Sequence, residues 1–499
     1  MAATAYESAA QLHTAGQAVS GVCPYPYCNG QIEAGTCTAC GRDALACTAC
    51  SSARRWNRSD AARCRSCAAP LARMPAPGWP MPGGTATRNC HVPEIGIRKV
   101  QAAVGGGMRP LPEFGIEGQV YGQVPQPIIA SGGVVVPHVA QGGFALLTCS
   151  PAAAPAWISE LGFPLGVESS PVELGASFYC AVSDGPCMHL ARVQLDTGLP
   201  DFIGSVRGAL SPGQPPLGWV EDGQGIAVWP LGDALLVLRL SEAMGRLTPG
   251  RGRQPVLLHA HGLLPDEFLL APVLWGDQLV AVSNRGTILR AAWGGSAEAL
   301  RAHGLAKLRR GEGTLRCGAP MVLHGRLVWL QARRGAASAA GDALSLMIMD
   351  RDGQAHEVPL HHESTPELER STGTWLTRPL IYDGGARIVV FGGMAAVAYA
   401  VSIARNAPID LRVHPLSARV AALGAAASTH VFALLEENRL VVARSLRQWW
   451  TRGDDAPVPV SVPFAQGARS FRPLAAPVIG RNGVYVLTTG GLLCLPAVE

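Results

Sequence analysis

Downstream of residue 120 the chain alternates short apolar runs with glycine-containing turns, and it repeats with a period of about fifty residues. Each unit has a Pro-aliphatic start, a short turn, an aliphatic-aromatic strand, a second turn and another strand. It reads QPIIASGGVVVPHVAQGGFALLTC from Gln126, SPVELGASFYCAVSDG from Ser170 and PPLGWVEDGQGIAVW from Pro215. It returns as APVLWGDQLVAVSNRGTILRAA from Ala271, APMVLHGRLVWLQARRG from Ala319 and RPLIYDGGARIVVFGGMAAVAYAV from Arg378. A degenerate copy, RVAALGAAASTHVFALLEENRLVVA, starts at Arg419, and the last, APVIGRNGVYVLTTGGLLCLPAV, at Ala476. Pro127, Pro171, Pro272, Pro320 and Pro477 each precede the first strongly apolar residue of the following strand by seven positions.

This pattern predicts an all-β propeller. Proline is tolerated at the start of an innermost strand, whose free edge faces the central channel. The aliphatic runs become middle strands covered on both faces by neighbouring blades, so they need not alternate strictly. The Gly-containing turns reverse the chain between antiparallel strands. Eight copies predict eight blades, with seven as the alternative count. The final copy holds three strands, and the strand-like run Gly118–Val124 is the expected fourth, closing the ring and removing a sheet edge. The uncharged stretch Ile388–Ala404 is short for a membrane span and is divided by Gly392 and Gly393, so two buried strands and a turn are expected there.

The repeat P-V-x-x-x-G-x-V-Y-V-x-x-x-x-G-x-L resembles those of pyrroloquinoline-quinone-type propellers over roughly 118–499. The resemblance implies architecture and no chemistry, because many such repeats hold no cofactor. A quinone-dependent dehydrogenase is the least favoured reading: it would need export, Ca²⁺ ligands and a carboxylate base, none of which can be nominated here.

Upstream of the repeats the chain changes character. Eight of the fourteen cysteines fall between residues 23 and 67, as Cys23-x4-Cys28, Cys37-x2-Cys40, Cys47-x2-Cys50 and Cys64-x2-Cys67. Each close pair can present two thiolates to one ion, and two pairs complete a tetrahedral sulfur shell suited to Zn²⁺. The expectation is two structural zinc ions with no open coordination position. The remaining cysteines are scattered; Cys149, Cys180 and Cys494 lie in apolar strands and are expected to be inert.

The first unit, CPYPYCNGQIEAGTCTACGR from Cys23, resembles the zinc ribbons attached to bacterial Ser/Thr kinases and their associated proteins. The second ends NRSDAARCRSCAAPL from Asn57 and resembles the back half of bacterial double zinc ribbon modules, with Ala68 in place of the usual glycine. The resemblance implies a cytoplasmic bacterial protein and suggests a link to kinase signalling. The bias towards arginine, with Lys99 and Lys307 the only lysines, fits GC-rich bacterial coding.

Charge adds one further candidate. Of the net charge of +5, the first hundred residues carry all, with ten Lys/Arg against five Asp/Glu. Arg54, Arg55, Trp56, Arg58, Arg63 and Arg65 gather in the second ribbon, where arginines beside an aromatic suit phosphates and a stacked base, or an acidic partner. The plainer reading is a solvated loop in an arginine-biased protein.

The segmentation that follows is an N-terminal stretch 1–22, ribbons at 23–43 and 44–72, a Pro/Gly-rich linker and lead-in at 73–117, and the propeller at 118–499. Residues 68–93 hold six prolines, which favour an extended spacer. Residues 1–22 lack the features of a signal peptide, so a cytoplasmic location without membrane insertion is expected. No phosphate loop or nucleophile elbow appears, and the histidine pairs His259/His261 and His361/His362 lack a convergent carboxylate or cysteine cluster. The functional expectation is a non-enzymatic scaffold that binds proteins and no small-molecule substrate. Nucleic-acid association through the arginine-rich ribbon is the alternative.

Overall fold

A computed structural model describes the chain chiefly over residues 126–360, with short interruptions, together with strands between 21 and 100 and between 381 and 498. Among the described residues there is no helix; the chain forms successive small antiparallel sheets, most of four strands.

The first sheet holds Ile128–Ala130, Gly133–His138, Gly143–Thr148 and Pro155–Glu160, paired in sequence order. The second holds Val172–Leu174, Ser177–Ser183, Cys187–Gln194 and Pro200–Arg207. In the third, Leu217–Glu221, Gln224–Leu231 and Ala234–Ala243 are followed by two short outer strands, Arg246–Pro249 and Val256–His259, which share one partner. The fourth runs from Val273–Trp275 through Gln278–Val282 and Ile288–Ala292 to Ala306–Arg309. In the fifth, Leu315–Cys317 and Met321–Leu323 both pair with Arg326–Arg333, and Ala343–Met349 and Ala355–Pro359 follow. The sixth comprises Ile381–Tyr382, Arg387–Gly392, Val397–Ser402 and Asp410–Pro415. Two more sheets begin at Val420–Ala427 and Val478–Gly480.

The proline spacing has a direct structural cause. In five sheets the residue after the proline pairs with the residue seven positions further on: Ile128 with Val135, Val172 with Tyr179, Val273 with Val280, Met321 with Val328 and Val478 with Tyr485. One register therefore recurs, set by a two-residue connection between the first and second strands. Gly175 (φ 66°) and Gly276 (φ 65°) open two of these connections in the left-handed region that glycine enters without strain.

First strands also pack against one another. Ile128–Ala130 lies against Val172–Leu174, Val172–Leu174 against Leu217–Glu221, and Val273–Trp275 against Met321–Leu323. Val420–Ala427 touches both Ile381–Tyr382 and Val478–Gly480, and Val478–Gly480 returns to Ile128–Ala130. The last sheet thus meets the first, which is the arrangement of a β-propeller. The core lies between sheets. One apolar cluster spans the first and second, with Phe144 edge-on to Phe178 at 5.1 Å; another spans the second to the fourth around Trp229; a third joins the fourth and fifth around Trp329.

Two expectations meet the structure here. Ile388–Ala404 forms two strands, Arg387–Gly392 and Val397–Ser402, paired antiparallel, as the central glycines indicate; no helix among the described residues is long and apolar enough to cross a membrane. Ring closure differs from the expected form. The last sheet, Val478–Gly480, Gly483–Thr488 and Gly491–Val498, takes its fourth strand from Lys99–Val100, paired with Ala497 and Val498. The run 118–124 lies outside the described residues. A β-ladder needs only backbone donors and acceptors, so a two-residue strand with no apolar signature serves as well as a strand-like one. Further upstream, His91–Val92 adds in parallel to Val420–Ala427, at Ala426 and Ala427, on the side away from Val431–Leu435.

Candidate metal centres and contact surfaces

The cysteine-rich region begins with a three-stranded sheet. Gly21–Val22 pairs with Gln31–Glu33, which pairs with Thr36–Cys37, so that Ile32 stands between Gly21 and Cys37. Cys37 ends the third strand and is 2% exposed. Cys23 immediately follows the first strand. The second unit repeats the device: Ala44–Ala46 pairs with Trp56–Arg58, and Cys47 is the next residue after Ala46. Strands therefore deliver the chain into cysteine positions in both units.

Of the expected ligands only Cys37 is described. Cys23, Cys28, Cys40, Cys47, Cys50, Cys64 and Cys67 lie outside the described residues, as do Arg54, Arg55, Arg63 and Arg65. Trp56 and Arg58 occupy the first and last positions of one strand, with backbone partners Ala46 and Ala44. Among the described residues no group of three or more His, Cys, Asp or Glu side chains is placed to hold a metal ion.

Within the propeller, His259 and His261 stack with ring centroids 6.3 Å apart and are exposed. Lys307 Nζ donates to the Gly262 carbonyl nearby at 2.8 Å, tying this turn to the fourth sheet. His361 and His362 lie outside the described residues. Cys180 is fully buried, and burial drives its thiol far above the ordinary range. Cys317 is pushed up to about 12, chiefly by burial. Thiols so protonated are poor nucleophiles and poor metal ligands.

The sequence reading overlooked one buried polar cluster. Glu267 accepts hydrogen bonds from Ser283 Oγ and, at 3.0 Å, from the Leu264 backbone N–H. Ser283 Oγ in turn accepts from Thr287 N at 2.9 Å and Arg285 N at 3.2 Å. Beside it, Asn284 Oδ1 accepts from Phe268 N at 3.0 Å and Arg285 pairs with Asp266. Bonded in this way, the cluster fastens the 261–268 turn to the fourth sheet. A lone Glu sixteen residues before a Ser-Asn pair gives no recognisable sequence signal.

Among the described residues the exposed large apolar side chains are Ile158, Leu199, Phe202 and Leu264. The first three lie on, or at the turn leading into, the outer strands of the first two sheets. There Trp157 stacks on Phe178 at 6.2 Å and donates to the Leu195 carbonyl at 2.8 Å. Gly198 (φ 72°) leaves room for this indole, which a Cβ would strike at 2.6 Å.

No family model matches the chain, and no curated protein matches it. Among solved structures it is similar to a quinohemoprotein alcohol dehydrogenase from Comamonas testosteroni, at 10% identity and a TM-score of 0.45 over 82% of this chain and 76% of that one. It is also similar to the computationally designed Ika8 protein, at 12% identity and a TM-score of 0.43 over 78% of this chain and all of the other. For apo AztD from Citrobacter koseri the identity is 14% and the TM-score 0.37, over 71% and 87%. Likenesses this distant carry no chemistry to this chain; the propeller architecture rests on its own sheet topology.

Proposed function

We propose that this chain is a zinc-binding, non-enzymatic scaffold: two structural zinc ribbons at 23–43 and 44–72, tethered to a propeller whose eight sheets are the eight blades of one ring. The observation that carries the zinc reading is the placement of cysteines at strand ends. Val22 leads into Cys23, the strand Thr36–Cys37 ends on a buried cysteine, and Ala46 leads into Cys47. Strands of two or three residues bury too little apolar surface to hold one another, and chelation by Cys23, Cys28, Cys37 and Cys40, and by Cys47, Cys50, Cys64 and Cys67, supplies what packing lacks. Such ions cross-link the module and leave no position for substrate.

Protein partners fit this design best. The two modules on one chain give two contacts, and tethering raises avidity through effective concentration. The resemblance of the first ribbon to kinase-attached ribbons supports a bacterial, cytoplasmic signalling assembly as the setting. Zinc analysis of the purified protein tests the metal reading, with Cys37→Ser expected to release one of the ions. Purification from the native host with and without nuclease tests the partner reading: defined proteins that survive nuclease support the scaffold, and recovery of nucleic acid alone overturns it.

One observation favours nucleic acid as the second reading. Trp56 and Arg58 are carried on a paired strand rather than an unsupported loop, so the Arg54–Arg65 patch has a structured base. On this reading binding falls steeply with salt, and replacing Arg54, Arg55 and Arg58 abolishes it. The quinone-dependent dehydrogenase gains no observation beyond architecture.

A further inference from the structure

Beyond residue 100 the acidic and basic residues cancel in total but not locally. Residues 285–334 hold ten Lys/Arg against two Asp/Glu, Glu298 and Glu312. Two carboxylates cannot neutralise ten cations, so the fourth and fifth sheets carry a positive field of their own.

The fold gathers part of this charge at one place. Ile288 follows the 283–287 turn of the fourth sheet and pairs with Arg309, the last residue of its outer strand. The turn and the strand end therefore lie at one end of that sheet, and Arg285, Arg309 and Arg310 lie there with them. The fifth sheet supplies the other side. The Cys317 backbone N–H donates to the Asn284 carbonyl at 2.8 Å, which brings Arg316 beside Arg285. Arg309 is close enough for its charge to act on the Cys317 thiol, whose protonation burial chiefly governs. Arg290, two positions beyond Ile288 and on the same face, extends the row of cations along the junction.

Arg290, Arg309, Arg310 and Arg316 are exposed. The carboxylates of the adjoining turn are engaged: Asp266 pairs with Arg285, and Glu267 is buried against Ser283 Oγ. Among the described residues no carboxylate pairs with Arg290, Arg309 or Arg310. Lys307 is not part of the row, since it pairs with Leu289 and is spent on the Gly262 carbonyl.

The class of anion follows from the surroundings. Guanidinium forks bind carboxylates through paired N–H···O bonds. Among the described residues the outer strand Ala306–Arg309 has no further strand on its free edge, so an extended backbone can pair there. Leu264, exposed two residues beyond Gly262, puts an apolar side chain near the start of that strand. No exposed Phe, Tyr or Trp stands beside these arginines among the described residues, so bases lack a stacking platform.

We propose that the junction of the fourth and fifth sheets, at the end bearing Arg285, Arg309, Arg310 and Arg316, is the propeller's docking surface for an extended acidic segment of a partner protein. Carboxylates of that segment meet the arginines, and an aliphatic residue among them meets Leu264. The proposal rests on the scaffold reading for the nature of the partner and is independent of the zinc ligands.

The probes are a fluorescein-labelled oligoglutamate peptide carrying one leucine and an oligothymidylate of the same charge. Each is titrated into the full-length, zinc-loaded chain at low salt and followed by fluorescence anisotropy. Arg309→Glu, Arg310→Glu and Arg316→Glu together are expected to weaken the peptide by about tenfold or more. Lysine at the same three positions retains most of the affinity, and replacing Arg54, Arg55 and Arg58 changes it little. Circular dichroism checks that the reversal variant folds; should it not, Arg309→Gln with Arg310→Gln takes its place. Exchanging the leucine of the probe for glycine weakens binding, and Leu264→Ser removes that difference. Unchanged peptide affinity in the reversal variant overturns the proposal. So does an oligothymidylate that binds more tightly than the peptide and is lost with the same substitutions, which makes this a nucleic-acid surface. Partners recovered from the native host separate the two readings. Defined proteins that the reversal variant still retains leave the scaffold standing and remove this surface. Peptide binding lost on reversal, with no protein recovered, leaves the surface standing and removes the scaffold.

Discussion

In the sheets between residues 126 and 360 the strands hold each other through their own side chains. Phe144, Phe178, Trp229 and Trp329 are at most 1% exposed and sit where one sheet faces the next. In the hairpins Gly21–Cys37 and Ala44–Arg58 the strands are two or three residues long, and cysteines stand at their ends. The first region stores its stability in apolar contact spread over many residues. On the proposed zinc reading, the second concentrates it in a few ligands. Failure should therefore be graded in one region and abrupt in the other.

The largest expected effect tests the abrupt side. Cys37→Ser, or chelation of zinc, removes on the order of 10 kcal/mol from the first ribbon. Limited proteolysis should then cut around residues 21–46 while the sheets of 126–360 stay resistant. Simultaneous loss of both regions would mean that the two are not independent. Next comes Trp229→Ala, expected to cost roughly 3–5 kcal/mol in chemical denaturation. Trp229→Phe should cost clearly less, since the indole N–H has no hydrogen-bond acceptor in the structure.

A smaller effect is expected at Gly218, where an added Cβ would collide with the Val172 side chain across the second and third sheets. Gly218→Ala should cost about 1–3 kcal/mol, recovered in part by Val172→Ala, as overpacking requires. Smallest at neutral pH is the alkaline dependence of the buried thiols. Cys180 and Cys317 are raised from an ordinary value of 9.0, Cys317 to about 12, with burial the main cause. The folded chain keeps these protons after the unfolded chain has lost them. Stability from this source is complete below pH 9 and is lost as pH climbs towards 12. Alkaline unfolding followed by circular dichroism checks the window, and native thiols unreactive to iodoacetamide at pH 8 check the burial.

The two regions were legible in the sequence for different reasons. Pro127, Pro171, Pro272, Pro320 and Pro477 revealed the sheets because one hairpin register recurs, and a recurring register forces recurring residue types. The cysteine pairs revealed a metal expectation through spacing alone, with only Cys37 among the described residues to show its burial. Ring closure at Lys99–Val100 was not legible, because pairing through backbone donors and acceptors asks almost nothing of side chains. The same holds for His91–Val92. Glu267 and Ser283 escaped for another reason: their bond joins positions sixteen residues apart within ordinary turn sequence. The degeneracy of the seventh repeat was visible in its sequence, whereas the pairing of its first strand with His91–Val92 was not.

Closure by Lys99–Val100 also bears on how the protein is made. A ribosome delivers that strand early, and its partner Gly491–Val498 arrives only after nearly all the intervening sheets. Until then the nascent chain carries an open edge at each end of a growing arc, a template for pairing with other chains. Joining the two requires one contact of very large sequence separation, which makes it a slow step. Until that capture the open edges leave the chain exposed to misassembly.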